Sequence, residues 1–440
     1  MMVKWCTVAI GLLLLFLMVV FPMTLSLLYV KAALFGAILL LVVASWFATL
    51  RIALHPSVLK WALFLACLGF AFSLRGLFAE TPGAMKQAQV YGLWPLIYTV
   101  LVSGASDGRV LLKVHRVLVA ALMAISIYGL VLVLTRLGVL PRFEIVDWLS
   151  LGEKQAVGFE DEFLAVKFEG LNSLPFLIPY VLGALLSGAS LTQRKLRIET
   201  YASWAALTVG LILVIVSGRR ALILILLVSP VVFLILSFWE PLGEQRKTFQ
   251  MMRSVLLVSM VIIACFIWYL QSTYDLTFKS MVDMFASGFN FVGTGGSDPS
   301  ASLRRQQWFA LLEGWSHNPL LGAGHGASAI GSVRSYEMPW AYELYYVALL
   351  FQVGIIGCVL YAAAVLWIYW KGAKIISEGG ELGRLMFASL AGMTGVLIAS
   401  ATNPYLARFD GLWVIFIPLS IINSWLLSNA EAGCKVASRE

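Results

Sequence analysis

Long apolar runs separated by short polar connections dominate the chain. A helix needs about 20 predominantly apolar residues to cross a bilayer, and about twelve stretches meet that requirement. They lie near residues 6–24, 32–50, 61–79, 88–104, 117–136, 172–191, 201–217, 221–239, 254–271, 354–370, 383–401 and 411–428. A helix satisfies its own backbone hydrogen bonds in lipid. The pattern predicts an all-α polytopic membrane protein in which residues 1–440 form a single integral membrane domain.

The basic residues between these stretches predict the orientation. If Lys4 is cytoplasmic, every second connection carries a basic cluster. The clusters are Arg51 and Lys60; Arg109, Lys113 and Arg116; Arg194, Lys195 and Arg197; Arg246, Lys247 and Arg253; Lys371, Lys374 and Arg384; and Lys435 with Arg439. Cytoplasmic connections are enriched in Lys and Arg. We therefore expect an even number of spans, cytoplasmic N- and C-termini, and a first span retained as a signal anchor.

Two of the outward connections are long. One covers residues 142–171 and is rich in acidic residues, and the other covers residues 272–353. Long loops usually persist because they carry function. Within the second, residues 302–315 have the apolar spacing of an amphipathic helix. A turn-rich stretch, 317–326, follows, and residues 340–353 are predicted to form a short helix that leads into the next span.

Composition agrees with a membrane protein, since 60% of the 440 residues are hydrophobic and 12% are charged. The net charge of +8 comes mostly from the basic clusters, which indicates topology and not a nucleic-acid partner. The five cysteines show neither a disulfide framework nor metal-ligand spacing. No nucleotide-binding loop or acidic metal motif is evident. If the chain is an enzyme, we expect a reaction without metal, nucleotide or other cofactor.

Two pairs of arginines lie on the predicted outer side, where the charge rule disfavours them. Arg219 and Arg220 occupy a short turn between two apolar helices, and Arg304 and Arg305 open the amphipathic helix. Arginine binds phosphate bidentately and keeps its charge, so two such pairs suit a diphosphate at the membrane surface. Two alternatives remain open: boundary arginines that extend toward water, and a solvated helix face balanced by Glu313.

Glu343 stands among aromatic residues at the start of an apolar helix, flanked by Tyr342 and by Tyr346 three residues later. A carboxylate in such surroundings could act as a general base. The alternative is a helix N-terminal acid stabilised by the helix dipole.

His325 lies between two glycines, where backbone amides could form an anion-binding nest. A plain turn is the competing interpretation. Arg75, within the third apolar run, is predicted either to line a cavity or to pair with nearby Glu80.

These motifs and their order resemble the O-antigen ligase and polymerase superfamily of bacterial membrane glycosyltransferases. The Ser-Gly-Arg-Arg-Ala turn at 217–221 is similar to that family's first arginine motif. The spacing from Arg304 to Trp308, followed by Asn-Pro-Leu-Leu-Gly-Ala-Gly at 318–324, resembles the second. Family ligases carry a histidine, an amide or hydroxyl residue, nine residues and then two glycines flanking two positions. Here Glu343, Leu344, nine residues, Gly354 and Gly357 reproduce that spacing with glutamate in place of histidine.

The resemblance covers roughly residues 201–370 and implies transfer of a glycan from undecaprenyl diphosphate to a sugar hydroxyl, with inversion. It implies Glu343 as the general base, with Arg220 and Arg304 as further catalytic residues that hold the diphosphate and stabilise its developing charge. The candidate substrate-binding residues are Arg219, Arg305, His325, Arg334, Tyr342 and Tyr346. Lipid-linked donor and acceptor glycans, the bilayer and a chain-length regulator are the implied partners. The implied location is the bacterial inner membrane with the site facing the periplasm.

Because the ligase histidine is missing, we expect a polymerase that joins lipid-linked repeats of O-antigen or a related surface polysaccharide. A ligase that transfers finished glycan to lipid A core is the first alternative. A twelve-helix secondary transporter is the second; such proteins often show related halves, and no internal repeat is visible in this sequence. A membrane scaffold without catalysis is the third.

Overall fold

The fold is a bundle of apolar helices. The computed structural model of the chain describes residues 2–22, 27–49, 52–136, 138–141, 144, 156–160, 163–188, 196–217, 219–241, 250, 299–331 and 337–437. In chain order, the helices are α1 (Met2–Val20), α2 (Leu28–Thr49), α3 (Pro56–Phe78), α4 (Ala84–Ala88), α5 (Trp94–Gly104), α6 (Gly108–Arg136), α7 (Leu174–Leu186), α8 (Leu196–Ser217), α9 (Arg220–Ser237), α10 (Pro299–His317), α11 (Tyr345–Glu378), α12 (Gly380–Ala399) and α13 (Trp413–Ala437).

Eight helices within the described residues are long and apolar enough to cross a membrane, which gives the chain the character of a multi-pass membrane protein. Two more predicted spans correspond to the shorter apolar helices Trp5–Val20 and Ala221–Ser237. The predicted span at 88–104 falls on α4, the π-helix Gln89–Leu93 and α5, which follow one another directly. The predicted span at 254–271 lies outside the described residues, so the count of twelve stays a prediction.

The all-α expectation is confirmed for the bundle, and the 142–171 connection adds one short hairpin that the sequence did not predict. Strands β1 (Ala156–Glu160) and β2 (Phe163–Lys167) form an antiparallel hairpin in which Val157 pairs with Val166. The 3-10 helix Glu169–Ser173 then leads into α7. Two five-residue strands are too short for the periodicity of apolar residues to reveal them beside twenty-residue apolar runs.

The centre of the bundle is α7, in which every residue is buried. A helix that is apolar on all sides belongs in the interior. Its main neighbour, α12, approaches closely because glycines face it: a Cβ at Gly395 would lie 2.2 Å from the Pro175 carbonyl oxygen, and one at Gly392 would lie 2.9 Å from that of Phe176. Small residues allow such close backbone packing between membrane helices.

Polar contacts between the connections fall into two groups. Arg384 donates to the Gly188 carbonyl, and Arg116 pairs with Glu199 at 2.7 Å. The second group lies at the opposite ends of α8 and α12. There Arg219, which follows α8, donates to Asn172, and the 3-10 turns come directly after α12. Each group therefore joins connections that the alternation of basic clusters predicts for one side of the membrane.

Candidate functional site

Glu343 is held by two side chains of α10, the helix that the sequence predicted at 302–315. The Nε atom of Arg304 donates to Oε2 of Glu343 at 2.7 Å, and the backbone amide of Glu343 donates to Oε1 of Gln307 at 3.1 Å. Positions three apart lie on the same helix face, so Arg304 and Gln307 contact Glu343 together. The side chains of Arg304 and Glu343 keep 20% and 12% of their exposure. The pair is therefore largely shielded from water but still reachable.

The two tyrosines that flank Glu343 anchor it to other parts of the fold. Tyr342 is 1% exposed, and its hydroxyl oxygen accepts a hydrogen bond from the amide of Ala329 at 2.6 Å. The hydroxyl of Tyr346 donates to the carbonyl of Leu397 at the end of α12. The ring of Tyr342 has no open surface in this arrangement, and its predicted contact with substrate stays a prediction. Tyr346 remains 40% exposed.

Arg219 belongs to a different group of residues. It precedes α9 as its N-cap residue, and its Nη1 atom donates to Oδ1 of Asn172 at 3.0 Å. The amide of Asn172 donates in turn to Glu169 at 2.7 Å. Arg408 contacts both Glu169 and Asp410 at 3.3 Å. Arg304 therefore contacts Glu343, whereas Arg219 has other partners, and the binding of one diphosphate by both arginine pairs stays a prediction.

Sequence reasoning missed four members of this second group: Glu169, Asn172, Arg408 and Asp410. Burial raises the pKa of the Asp410 carboxyl, and the charge of Arg408 opposes that shift. The available signal was the pair of charges, Arg408 and Asp410, in the short connection between the last two predicted spans. Pairing across distant connections could not be derived from sequence spacing.

Two predicted residues have limited or no description. The side chain of Arg220 and all of Arg334 lie outside the described residues, although the backbone of Arg220 begins α9. Arg305, next to Arg304 on α10, has its guanidinium carbon 6.0 Å from the ring centre of Phe309, a cation–π distance.

Residues 318–326, which we name the docking segment, insert between α3 and α11. The amides of Ala323 and Gly324 donate to the carbonyls of Phe351 and Gln352 at 2.9 and 2.8 Å. The amide of His325 donates to the carbonyl of Phe72 at 2.9 Å. These amides are therefore engaged with carbonyl oxygens, which corrects the hypothesis that they form a nest for an anion.

The His325 side chain is also internal. Its ring stacks on Tyr91 with centroids 4.5 Å apart, and its two nitrogens lie 3.3 Å from Gln352 Oε1 and 3.0 Å from the Tyr361 hydroxyl. Burial lowers the pKa of His325 to about 4, while the hydrogen bond to Gln352 opposes the shift. His325 is fully buried, and its predicted contact with substrate stays a prediction.

Gly354 explains why the docking segment fits here. Its φ of 64° breaks the helical geometry inside α11 and frees backbone groups on both sides of the kink. The amides of Ile355 and Ile356 donate to the carbonyls of Pro319 and Leu320 at 2.9 and 3.1 Å. A Cβ at Gly354 would lie 2.3 Å from the Leu320 oxygen. The glycine therefore serves both an unusual backbone conformation and a close approach.

Arg75 on α3 forms hydrogen bonds to the same segment. Its Nε donates to the Gly322 carbonyl at 2.8 Å, and its Nη2 lies 3.4 Å from Asn318 Oδ1. These contacts replace the local pair with Glu80 that the sequence left open. Arg75 also lines a cavity together with Glu80, as the other interpretation expected.

Comparison with known proteins does not place the chain. No protein-family model matches it. A search of the curated proteins also returns no significant match.

Proposed function

We propose that the protein is a polymerase of lipid-linked surface polysaccharide repeats, working at the outer face of the bacterial inner membrane. The observation that carries the proposal is the shielded pair of Arg304 and Glu343, oriented by Gln307. A carboxylate fixed beside a permanent cation offers a base and an electrostatic stabiliser for the same reaction. The arrangement of twelve spans with cytoplasmic termini is part of the proposal, since it puts both residues outside the cytoplasm.

In the proposed reaction, Glu343 accepts the proton of an acceptor sugar hydroxyl as that oxygen attacks the anomeric carbon of the donor. The bond from the anomeric carbon to the diphosphate oxygen breaks, and the electron pair leaves with undecaprenyl diphosphate. A guanidinium has five N–H donors, and the bond from Arg304 to Glu343 uses one of them. The others can contact the leaving diphosphate, with Arg220 as the second proposed cation.

Polymerase is favoured over ligase by the glutamate at position 343, where the ligases of the similar family carry histidine. The two activities differ in their acceptor. The pure protein is given undecaprenyl-diphosphate-linked repeats without lipid A core, and products are separated by length. Longer lipid-linked glycans support the polymerase. Absence of lengthening, with transfer once core is added, supports the ligase and rejects the polymerase.

The transporter alternative draws on the interruption of α11 at Gly354, because broken helices form ion and substrate sites in many transporters. Here the carbonyls of Phe351 and Gln352 near the break accept hydrogen bonds from the docking segment. These carbonyls therefore already have a hydrogen-bond partner within the protein. Uptake of lipid-free oligosaccharide by liposomes containing the protein, in place of chain lengthening, would favour transport.

A further inference from the structure

A cavity of about 810 Å³ opens at the C-terminal end of α3, next to the docking segment. Its polar lining includes Arg75, Glu80 and Asn318, and its apolar lining includes Leu74 and Phe78. The proposed reaction uses none of these side chains. An open cavity with both kinds of surface fits an amphipathic molecule.

The guanidinium of Arg75 has donors left for a ligand. Its contacts to Gly322 and Asn318 involve Nε and Nη2, and a guanidinium carries five N–H groups. The contact to Gly322 also fixes the orientation of the group, which reduces the ordering cost of binding an anion. The planar fork of arginine suits a phosphate.

Glu80 has an unusual backbone at the edge of this cavity. Its φ is 52°, and it is the one non-glycine residue with positive φ within the part of the chain that the structure describes. Helices often end with a residue in this conformation, which is usually glycine because a Cβ is disfavoured there. Strain of this kind at the edge of a cavity points to a use for the side chain.

The carboxylate of Glu80 is exposed and makes no ion pair with any described residue, including Arg75. The cavity therefore offers one cation and one anion that do not neutralise each other directly. A ligand with a phosphate and an ammonium group would complement both charges.

The apolar lining continues onto the outer surface of α3. Ala71, Leu74 and Phe78 lie three to four positions apart and so share one helix face. Leu74 is 52% exposed and Phe78 is 82% exposed, which leaves a path for hydrocarbon chains along the helix. In a membrane-spanning helix, such a face lies against lipid.

We propose that this cavity binds a phospholipid with a phosphoethanolamine headgroup from the surrounding leaflet. Arg75 contacts the phosphate, Glu80 accepts hydrogen bonds from the primary ammonium, and the acyl chains follow Leu74 and Phe78. The proposal does not depend on glycosyl transfer, because it concerns a separate set of side chains.

Native mass spectrometry of the full-length protein, after delipidation, tests the proposal. Phosphatidylethanolamine, phosphatidylglycerol and phosphatidylcholine with identical acyl chains are added in competition. A single charge pair of modest strength predicts retention of phosphatidylethanolamine about fivefold above the other two lipids. Phosphatidylglycerol lacks the cation, and the quaternary amine of phosphatidylcholine has no N–H to donate.

Glu80→Gln keeps the shape of the side chain and removes its charge, so the fivefold preference should disappear. Glu313→Gln is the matched control, because Glu313 is an exposed carboxylate on α10 outside the cavity lining, and it should keep the preference. Glu80→Gly should also lose the preference while its melting temperature stays equal or rises, since glycine relieves the backbone. Equal retention of the lipids by the wild type, stronger retention of phosphatidylglycerol, or an unchanged preference in Glu80→Gln would overturn the proposal.

Discussion

At the scale of single residues, Arg304 and Glu343 hold each other in place, so a change in either also changes the charge balance of its partner. Glu343→Gln removes the base and keeps the shape. Because general base catalysis contributes about 10²- to 10⁴-fold, we expect polymer formation to fall by that factor while the protein still accumulates. Chain-length analysis of the products with purified protein measures the loss, and Glu313→Gln on α10, the helix that carries Arg304, should retain activity.

The double variant Arg304→Gln with Glu343→Gln separates catalysis from stability. Breaking one side of a shielded ion pair leaves an uncompensated charge, whereas neutralising both sides does not. The double variant should therefore melt closer to the wild type than Arg304→Gln alone and still make no polymer. Recovery of polymer together with stability would show that the pair is only structural.

His325 should make stability depend on pH. Its pKa is about 4 in the folded protein against 6.5 for a free side chain, so between these values the unfolded chain binds a proton that the folded chain does not. Stability is fully present above pH 6.5 and falls as pH decreases toward 4, by about 3 kcal/mol at most. Melting temperatures in detergent should therefore drop less steeply over this range for His325→Gln than for the wild type. Parallel slopes would contradict the buried, neutral state of the ring.

The chemistry of several residues could be predicted from sequence, but their partners could not. Arg304 was selected because arginine is disfavoured on the predicted outer side, and Glu343 because it stands among aromatic residues at the start of an apolar helix. The glycines on either side of His325 are visible in the sequence and indicated a turn. Tyr91 and Tyr361 contact its ring from other helices, and those contacts cannot be derived from sequence spacing. Arg219 was assigned to the same diphosphate as Arg304 because no sequence signal connects it to Asn172.

At the scale of elements, the kink in α11 and the docking segment form one unit. Gly354→Ala would place a Cβ 2.3 Å from the Leu320 oxygen in a backbone conformation that L-residues disfavour. We expect the free energy of unfolding to fall by about 2 kcal/mol or more, because the backbone strain and the steric clash both destabilise the folded state. Gly36→Ala in α2 is the control, since a Cβ there meets nothing within 4 Å. Thermal unfolding in detergent compares the two.

If Gly354→Ala melts like the wild type, the contact between Leu320 and Gly354 is not maintained in the membrane protein. If it is destabilised, loss of polymer should accompany the change, because Glu343 lies on the chain between the two parts of this unit. A variant with normal stability and no polymer would instead assign Gly354 a role in the reaction.

Long apolar runs made most helices predictable, whereas the reason for an interruption was not. The predicted boundary between a short helix at 340–353 and a span at 354–370 corresponds to the kink at Gly354 within α11. Gly354 indicated a break in the helix from sequence alone. The function of that break depends on carbonyls of the docking segment, which the sequence did not place beside it. The hairpin at 156–167 escaped prediction because its strands are short and lie in a polar connection.

At the scale of the whole molecule, hydropathy was informative because each helix must satisfy its own backbone in lipid. The basic clusters then ordered the connections into two sets, and the polar contacts of the structure join connections within each set. These contacts do not determine which set faces the cytoplasm, because the contacts between helices are the same in either orientation of the protein in the membrane.

Cysteine labelling decides that orientation and with it the position of the proposed site. Ser316 is exposed at the end of α10 and Ser377 is exposed near the end of α11, and the alternation of basic clusters assigns them to opposite sides. In a variant lacking the native cysteines, Ser316→Cys should react with a membrane-impermeant maleimide in intact spheroplasts, whereas Ser377→Cys should react only after permeabilisation. The expected pattern puts Arg304, on the same helix as Ser316, outside the cytoplasm, where lipid-linked repeats are available. The reverse pattern would put Arg304 and Glu343 in the cytosol, and the proposed polymerisation of exported repeats could not take place there.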